Sequence, residues 1–184
     1  MIEIKTVTDF TELAGIQKLQ RENLKKQLGK EEAASEGFVT AEYSLAFLQS
    51  MHRASPSIIA KDGDAVVGYA LVALASIREQ HDLLADLFDV IDKKTYQNLL
   101  LKDARYVVVG QLCVAKQYRG LGLVYQMYAH FKKSLSNNYD YCITDVASDN
   151  PRSLKAHQKT GFRVIDSLSY GGISWDIVLW DWTV

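Results

Sequence analysis

Cysteine and proline are scarce in this chain, with 2 Cys and 2 Pro among 184 residues. Two cysteines cannot staple a disulfide scaffold, and neither Cys113 nor Cys142 has a metal-ligand partner at short spacing. No metal is therefore expected, and the cytoplasm, where thiols stay reduced, is the default compartment. With so little proline and only 11 Gly, collagen-like, mucin-like and linker-rich architectures are excluded. Neither sign of charge dominates. Lys+Arg is 21 against Asp+Glu 22, a net charge of -1, which argues against a strongly basic nucleic-acid binder and against an acidic disordered tail. Long apolar runs are also missing, and none approaches the roughly 20 residues that cross a bilayer. The start, M-I-E-I-K-T-V, has neither the basic head nor the apolar centre of a signal peptide. The expectation is a soluble, unprocessed protein with no nucleic-acid and no membrane partner.

What is present is an ordinary globular balance, 48% hydrophobic and 23% charged, at a length that suits one domain over 1–184. Ile2, Ile4 and Thr6 alternate as a first strand. Asp9 and Glu12 read as a capping box, ahead of a helix on Leu13, Ile16, Leu19, Gln20, Leu24 and Leu28 that Gly29 can stop. Lys30 to Thr40 is a polar connection, and a second helix is expected over Ala41 to Arg53. Strands at Ser57–Lys61 and Ala65–Ala75 flank an Asp62-Gly63-Asp64 turn as a hairpin. Between Ser76 and Arg105, Leu83, Leu84, Leu87, Phe88 and Ile91 repeat at helical spacing among four aspartates, which predicts a helical insertion between strands. Tyr106–Ala115 is a buried strand, followed by a helix on Val124, Met127, Tyr128, Phe131 and Leu135. A strand over Asp140–Ala147, a helix from Pro151 to Gly161, and strands at Phe162–Leu168 and Trp175–Trp182 complete the chain. The order β-α-α-β-β-(α)-β-α-β-α-β-β predicts an α/β, or α+β, domain with one mixed sheet and helices against it.

The most informative unit is the turn Gln117-Tyr118-Arg119-Gly120-Leu121-Gly122, set between a strong strand and a strong helix. Glycines there let a ligand approach the backbone, and amide hydrogens at the helix start favour a phosphate. The turn is not a Walker sequence, since no G-K-[ST] follows, and it lacks the third small residue of a dinucleotide fingerprint. Two stretches, V-A-K-Q-Y-R-G-L-G-L at Val114–Leu123 and N-P-R-S-L-K-A-H-Q-K-T-G-F at Asn150–Phe162, together resemble the GNAT superfamily of acyl-coenzyme A-dependent N-acetyltransferases.

That resemblance implies a mostly antiparallel sheet with splayed central strands, acetyl-CoA as cofactor with coenzyme A as product, and a small-molecule or peptide amine as acceptor. It implies that the amides of Arg119, Gly120, Leu121, Gly122 and Leu123 hold the pyrophosphate, and that backbone at Leu112 and Val114 and the side chain of Asn150 meet the pantetheine arm. Asn150 before Pro151 is equally a helix cap. With Arg119 as the first signature position, Val124 stands where a small residue is usual; Gln117, Gly120 and Gly122 fit the same spacing in a second register. His157 occupies the place of a residue that protonates the departing thiolate. Gln111 occupies the usual glutamate base position and cannot itself abstract a proton; it would act through water. Asp145 is the alternative base, and Glu31, Glu32 or Glu36 could draw in a cationic acceptor. The implied reaction is direct attack of a neutral amine on the thioester through a tetrahedral intermediate, since no Cys-His constellation supports an acyl-cysteine route. The alternative is a non-catalytic acyl-coenzyme A-binding regulator or scaffold. Trp175, Trp180 and Trp182 in the last strand finish a core, line an acceptor pocket, or cover the edge of a homodimer.

Overall fold

The structure is a computed structural model and describes residues 1–24, 39–170 and 172–184. Leu28, Gly29, Glu31, Glu32, Glu36 and Gly171, with the expectations placed on them, lie outside the described residues. The chain runs β1 (Ile2–Thr6), α1 (Phe10–Glu22), α2 (Leu45–Ala54), β2 (Ile58–Asp62) and β3 (Ala65–Ala73). A 3-10 turn (Ala75–Gln80) leads to α3 (Asp82–Asp92), the short hairpin β4 (Thr95–Tyr96) and β5 (Leu99–Leu100), and β6 (Tyr106–Val114). Then come α4 (Leu123–Leu135), β7 (Tyr141–Ala147), α5 (Pro151–Thr160), β8 (Arg163–Tyr170) and β9 (Ile173–Asp181). Seven strands form one sheet in the order β1-β2-β3-β6-β7-β9-β8. Every pairing is antiparallel except β6 with β7, the mixed, mostly antiparallel sheet that was expected.

Local chemistry sets the helix ends. Asp9 Oδ1 accepts from the amides of Thr11 and Glu12 and starts α1. Glu12 does not return to Asp9 as a capping box would; it accepts from the Thr8 amide and pairs with Lys5 and Lys61. Burial opposes the charge of Glu12, but these partners outweigh it and hold the carboxyl below its ordinary range. The expected extension of α1 beyond residue 22 fails at Asn23, whose Nδ2 donates to the Leu19 carbonyl and takes an acceptor from the helix ladder. The second helix begins at Leu45 rather than Ala41, because Ser44 Oγ caps the Phe47 amide while the Tyr43 amide is drawn to Gln20 Oε1.

The sheet is covered on both faces. Alternation along β3 turns Gly68 toward Met127 of α4, and Tyr69 toward Gln111 and the α1 side. Tyr69, Tyr128, Phe88, Phe131, Ile16 and Met51 are among the largest fully buried side chains. After α3, Gln97 and Asn98 take φ of 48° and 66° and fold the chain into the β4–β5 hairpin. The Trp-rich last strand is not an edge. The β8–β9 turn inserts β9 between β7 and β8, leaving β8 outermost, so Trp175, Trp180 and Trp182 cannot cover a sheet edge.

Candidate active site

β6 and β7 pair over only three residues, from Tyr106↔Tyr141 to Val108↔Ile143. Past that point Thr144 Oγ1 donates to the Val109 carbonyl at 2.8 Å, replacing a ladder bond with a side chain. The strands then separate, although β6 stays paired with β3 up to Val114 and β7 with β9 up to Ala147. A bulge explains the divergence. Leu71 faces Gln111 and Val72 faces Val109, so Gly110 has no partner and β6 bends there. A Cβ at Gly110 would lie 3.2 Å from Met51 Cε and 3.3 Å from Ala73 Cβ, so a side chain there would need both neighbours to give by a few tenths of an ångström. Tyr43 closes the bulge by donating to the Gly110 carbonyl.

The wedge opens a cavity of about 330 Å³ whose walls include Gln111, Leu112, Asp145, Asn150, His157 and Trp175. The Ala115 amide donates to Val67. Alternation on the antiparallel ladder therefore turns the peptide groups of Leu112 and Val114 away from β3 and toward the open side. Val114 keeps its amide there, because its carbonyl accepts from Arg119 Nε at 3.0 Å.

The glycine-rich turn leads from β6 into α4. Gly120 and Gly122 have φ of +85° and +73°, conformations that side chains with a Cβ rarely adopt. Gly122 is the N-cap and supplies no side-chain cap, and the first helical bond runs from the Gln126 amide to the Gly122 carbonyl. The amides of Leu123, Val124 and Tyr125 have no intrahelical partner by geometry, and the turn is exposed at Gly120, Leu121 and Gly122. The two positive-φ glycines favour the register that starts at Gln117. Val124 lies inside the first helical turn, packed against the core. Arg119 braces the turn: its Nη2 donates to Asn23 Oδ1 at 2.8 Å while Nε holds Val114.

The structure brings Gln111, Asp145 and His157 to one cavity with very different surroundings. Gln111 Oε1 accepts from Gln20 and from the Tyr69 hydroxyl, and its Nε2 donates to the Ala41 carbonyl. Both lone pairs of that oxygen are occupied, so Gln111 ties α1, β3 and β6 together. His157 is 2% exposed. The Ser153 carbonyl can only accept, so Nδ1 carries the ring proton toward it at 2.8 Å. Nε2 then accepts from the Tyr128 hydroxyl at 2.7 Å. Burial lowers its pKa to about 4, so the ring is neutral with both nitrogens occupied. Asn150 caps α5 by accepting from the Ser153 amide and lines the cavity as well.

Asp145 differs from both. It is half-buried on β7, and burial pushes its carboxyl up to about 6. Its nearness is felt at Tyr43, whose phenol is raised by burial and by the Asp145 charge. Among the described residues no ion pair neutralises Asp145. Burial also pushes Cys113 up to about 12 and raises Cys142, which leaves both thiols protonated at neutral pH. Sequence reasoning missed Tyr43 and Thr144, which hold the wedge open; from the expected helical insertion, Leu83, Asp86, Leu87 and Val90 of α3 line it.

Comparison with known proteins points one way. The family model described as Acetyltransferase (GNAT) family matches residues 21–162. Comparison with curated proteins gives no match. Among solved structures, the chain is similar to Arabidopsis thaliana NAA60 in complex with acetyl-CoA, at 15% identity and TM-score 0.65, over 98% of this chain and 99% of that one. It is similar to yncA, a putative acetyltransferase from Salmonella typhimurium with its cofactor acetyl-CoA, at 13% identity and TM-score 0.63, over 98% and 94%. It is also similar to the ribosomal-protein-S18-alanine N-acetyltransferase from Escherichia coli, at 10% identity and TM-score 0.64, over 98% and 94%.

Proposed function

Since the chain belongs to the acetyltransferase (GNAT) family, we propose that it moves the acetyl group of acetyl-coenzyme A onto a primary amine across the wedge between β6 and β7. The observation that carries this reading is Asp145, a carboxyl with no ion-pair partner among the described residues, which shares its cavity with the β6 backbone and is pushed up to about 6 by burial. The turn fits a pyrophosphate: a Cβ at Gly120 would meet nothing within 4 Å, and the helix behind it presents uncapped amides. When bound, acetyl-CoA supplies an acetyl thioester already activated toward an amine. Amides of Gly120, Leu121, Gly122 and Leu123 would hold the pyrophosphate, with Arg119 bracing the turn. The Leu112 and Val114 amides would orient the pantetheine arm and polarise the thioester carbonyl. Asn150, at the head of α5, would meet the arm from the other side of the wedge.

Asp145 is the base in this reading. It accepts a proton from the amine, and the balance of the reaction returns one proton to the departing sulfur. A carboxylate at this depth supplies what Gln111 lacks, which favours the enzyme over a non-catalytic coenzyme-binding scaffold. His157 and Tyr128 support the wall and hold no transferable proton toward the cavity.

The test is amine-dependent release of free thiol from acetyl-CoA, followed against pH. Asp145 is ionised above about pH 6, so kcat/KM should show an extra acid limb as pH falls through that value. Asp145→Asn should lose that limb and roughly 10²-fold or more in rate at neutral pH. Full activity in Asp145→Asn would remove Asp145 as the base, and no thiol release with any amine would overturn acetyl transfer.

A further inference from the structure

We infer that the acceptor is a primary amine whose remaining part is apolar, a chain or branch of several carbons held between α3 and β9. This inference rests on the acetyl-transfer reading above and concerns the side of the cavity turned away from the glycine-rich turn. The two faces of the sheet divide that cavity. α4 and α5 share one face, where Tyr128 bonds His157 and Gly68 faces Met127. The glycine-rich turn leads into this side. α2 and α3 cover the other face, where a Cβ at Gly110 would meet Met51, Ala73 and Leu84.

Register places Asp145 on the α3 side. Val108 pairs with Ala73 on β3 and with Ile143 on β7, so Ile143 shares the face of Ala73. Alternation carries Asp145 and Ala147 to the same face. Asp145 pairs with Ile177, which adds Ile177 and, by alternation along β9, Ile173. Leu168 of β8 joins them, because it pairs with Trp175 as Ala147 does.

α3 forms the opposite wall with an apolar stripe that the core does not require. Leu84, Phe88 and Ile91 stand at i, i+4 and i+7 and are at most 1% exposed, which is one complete docking stripe. Leu83, Leu87 and Val90 repeat that spacing one residue earlier, and all three line the cavity. Leu83 is exposed and Val90, Leu168 and Ile173 are half-buried. Apolar surface is thus left partly uncovered on both sides of one space, with the Asp145 carboxyl at its wedge end and the exposed Asp86 beside Leu87. An acceptor with its nitrogen at Asp145 extends the rest of its atoms along Leu87, Val90, Ile173 and Ile177, and carbon there removes apolar surface from water on both walls. Such an amine can be a small molecule or the first residue of a peptide; the chemistry recognised is the same.

The experiment follows thiol release from acetyl-CoA with ethylamine, butylamine, hexylamine and 5-aminopentan-1-ol, in which a hydroxyl replaces the last methyl of hexylamine. A fully buried methylene is worth about fourfold, so kcat/KM should rise at least about tenfold from ethylamine to hexylamine. The amino alcohol should fall at least about fivefold below hexylamine, because its hydroxyl loses water without gaining a partner. Two tripeptide amides that differ only in a first Leu or Ser distinguish the sources. Preference for the Leu peptide would identify apolar peptide N-termini as a source, and rejection of both would restrict it to small molecules; either outcome supports the apolar class. Two variants test the wall through the ratio of hexylamine to ethylamine in kcat/KM, which a general folding defect would not move. Val90→Phe narrows the space and should lower the ratio at least about fivefold. Leu83→Asn, at a position 43% exposed where folding is not at stake, should lower it about twofold or more. A flat alkylamine series, an amino alcohol equal to hexylamine, preference for the Ser peptide, or an unchanged ratio in Leu83→Asn and in folded Val90→Phe would overturn the inference and leave acetyl transfer standing. Thiol release from none of the amines would overturn both.

Discussion

Neutral His157 is held by two hydrogen bonds whose directions are fixed by the Ser153 carbonyl, and those bonds decide what the residue can do. A ring with a pKa near 4, and with no proton on Nε2, is a poor acid toward a thiolate at neutral pH. Its removal should therefore be felt in stability before rate. His157→Phe leaves the Tyr128 hydroxyl buried without its acceptor, a loss of about 1–3 kcal/mol, while turnover should fall less than about tenfold. Adding Tyr128→Phe removes the orphaned hydroxyl and should recover part of that stability, because deleting both partners costs less than deleting one. Chemical denaturation and steady-state kinetics on the same variants check both parts. A hundredfold loss of turnover with unchanged stability would return His157 to proton transfer.

At the scale of elements, the strand-turn-helix unit from β6 to α4 owes its shape to two glycines. Valine at Gly122 would have to hold φ near +73° with a branched Cβ, which strains the turn and moves the amides that close it. Gly122→Val should weaken acetyl-CoA binding at least about tenfold, or 1.4 kcal/mol, by calorimetry. Gly63→Val is the control: Gly63 has φ +58° and open space around it, but it lies in the β2–β3 hairpin turn. It should cost stability and spare affinity, and equal losses in both variants would remove the turn from cofactor binding. This unit was legible in the sequence because everything that makes it is local: an apolar run, a turn with two glycines, and a helical period. The α5 cap at Asn150 and Pro151 was legible for the same reason. The wedge was not. It depends on the Gly110 bulge, which exists only against β3, and on Thr144 and Tyr43 reaching β6 from distant segments. Trp175 could be read as core, pocket or edge until the insertion of β9 between β7 and β8 was known. The end of α1 was misread because a side-chain bond from Asn23 competes with the helix without disturbing the apolar period.

Across the whole molecule, two titratable groups of the cavity, buried His157 and half-buried Asp145, pull stability in opposite directions with pH. His157 has a folded pKa near 4 against an ordinary 6.5. As pH falls through that window the unfolded chain gains a proton that the folded one refuses, and stability is lost at up to about 1.4 kcal/mol per pH unit. Asp145 has a folded pKa near 6 against an ordinary 3.8. Over nearly the same window the folded chain gains the proton first, and stability rises with acid at a similar slope. The two contributions largely cancel in the wild-type protein. Asp145→Asn removes one of them. It no longer holds a carboxylate that burial disfavours at neutral pH, so it should be more stable than wild type there by roughly 2–3 kcal/mol. The advantage should shrink as pH falls through 6 and vanish near pH 4, where wild-type Asp145 is itself largely protonated. Glu12, Asp9 and Asp166, whose pKa values are lowered, contribute acid lability to both proteins and drop out of the difference. Urea unfolding of the two proteins between pH 4 and 8 measures that difference directly. A constant difference across the range would mean that Asp145 titrates normally in the fold. A difference that closes toward pH 4, together with loss of acetyl transfer at neutral pH in the same variant, would mean that the carboxyl is kept at a cost to the fold for what it does in the wedge.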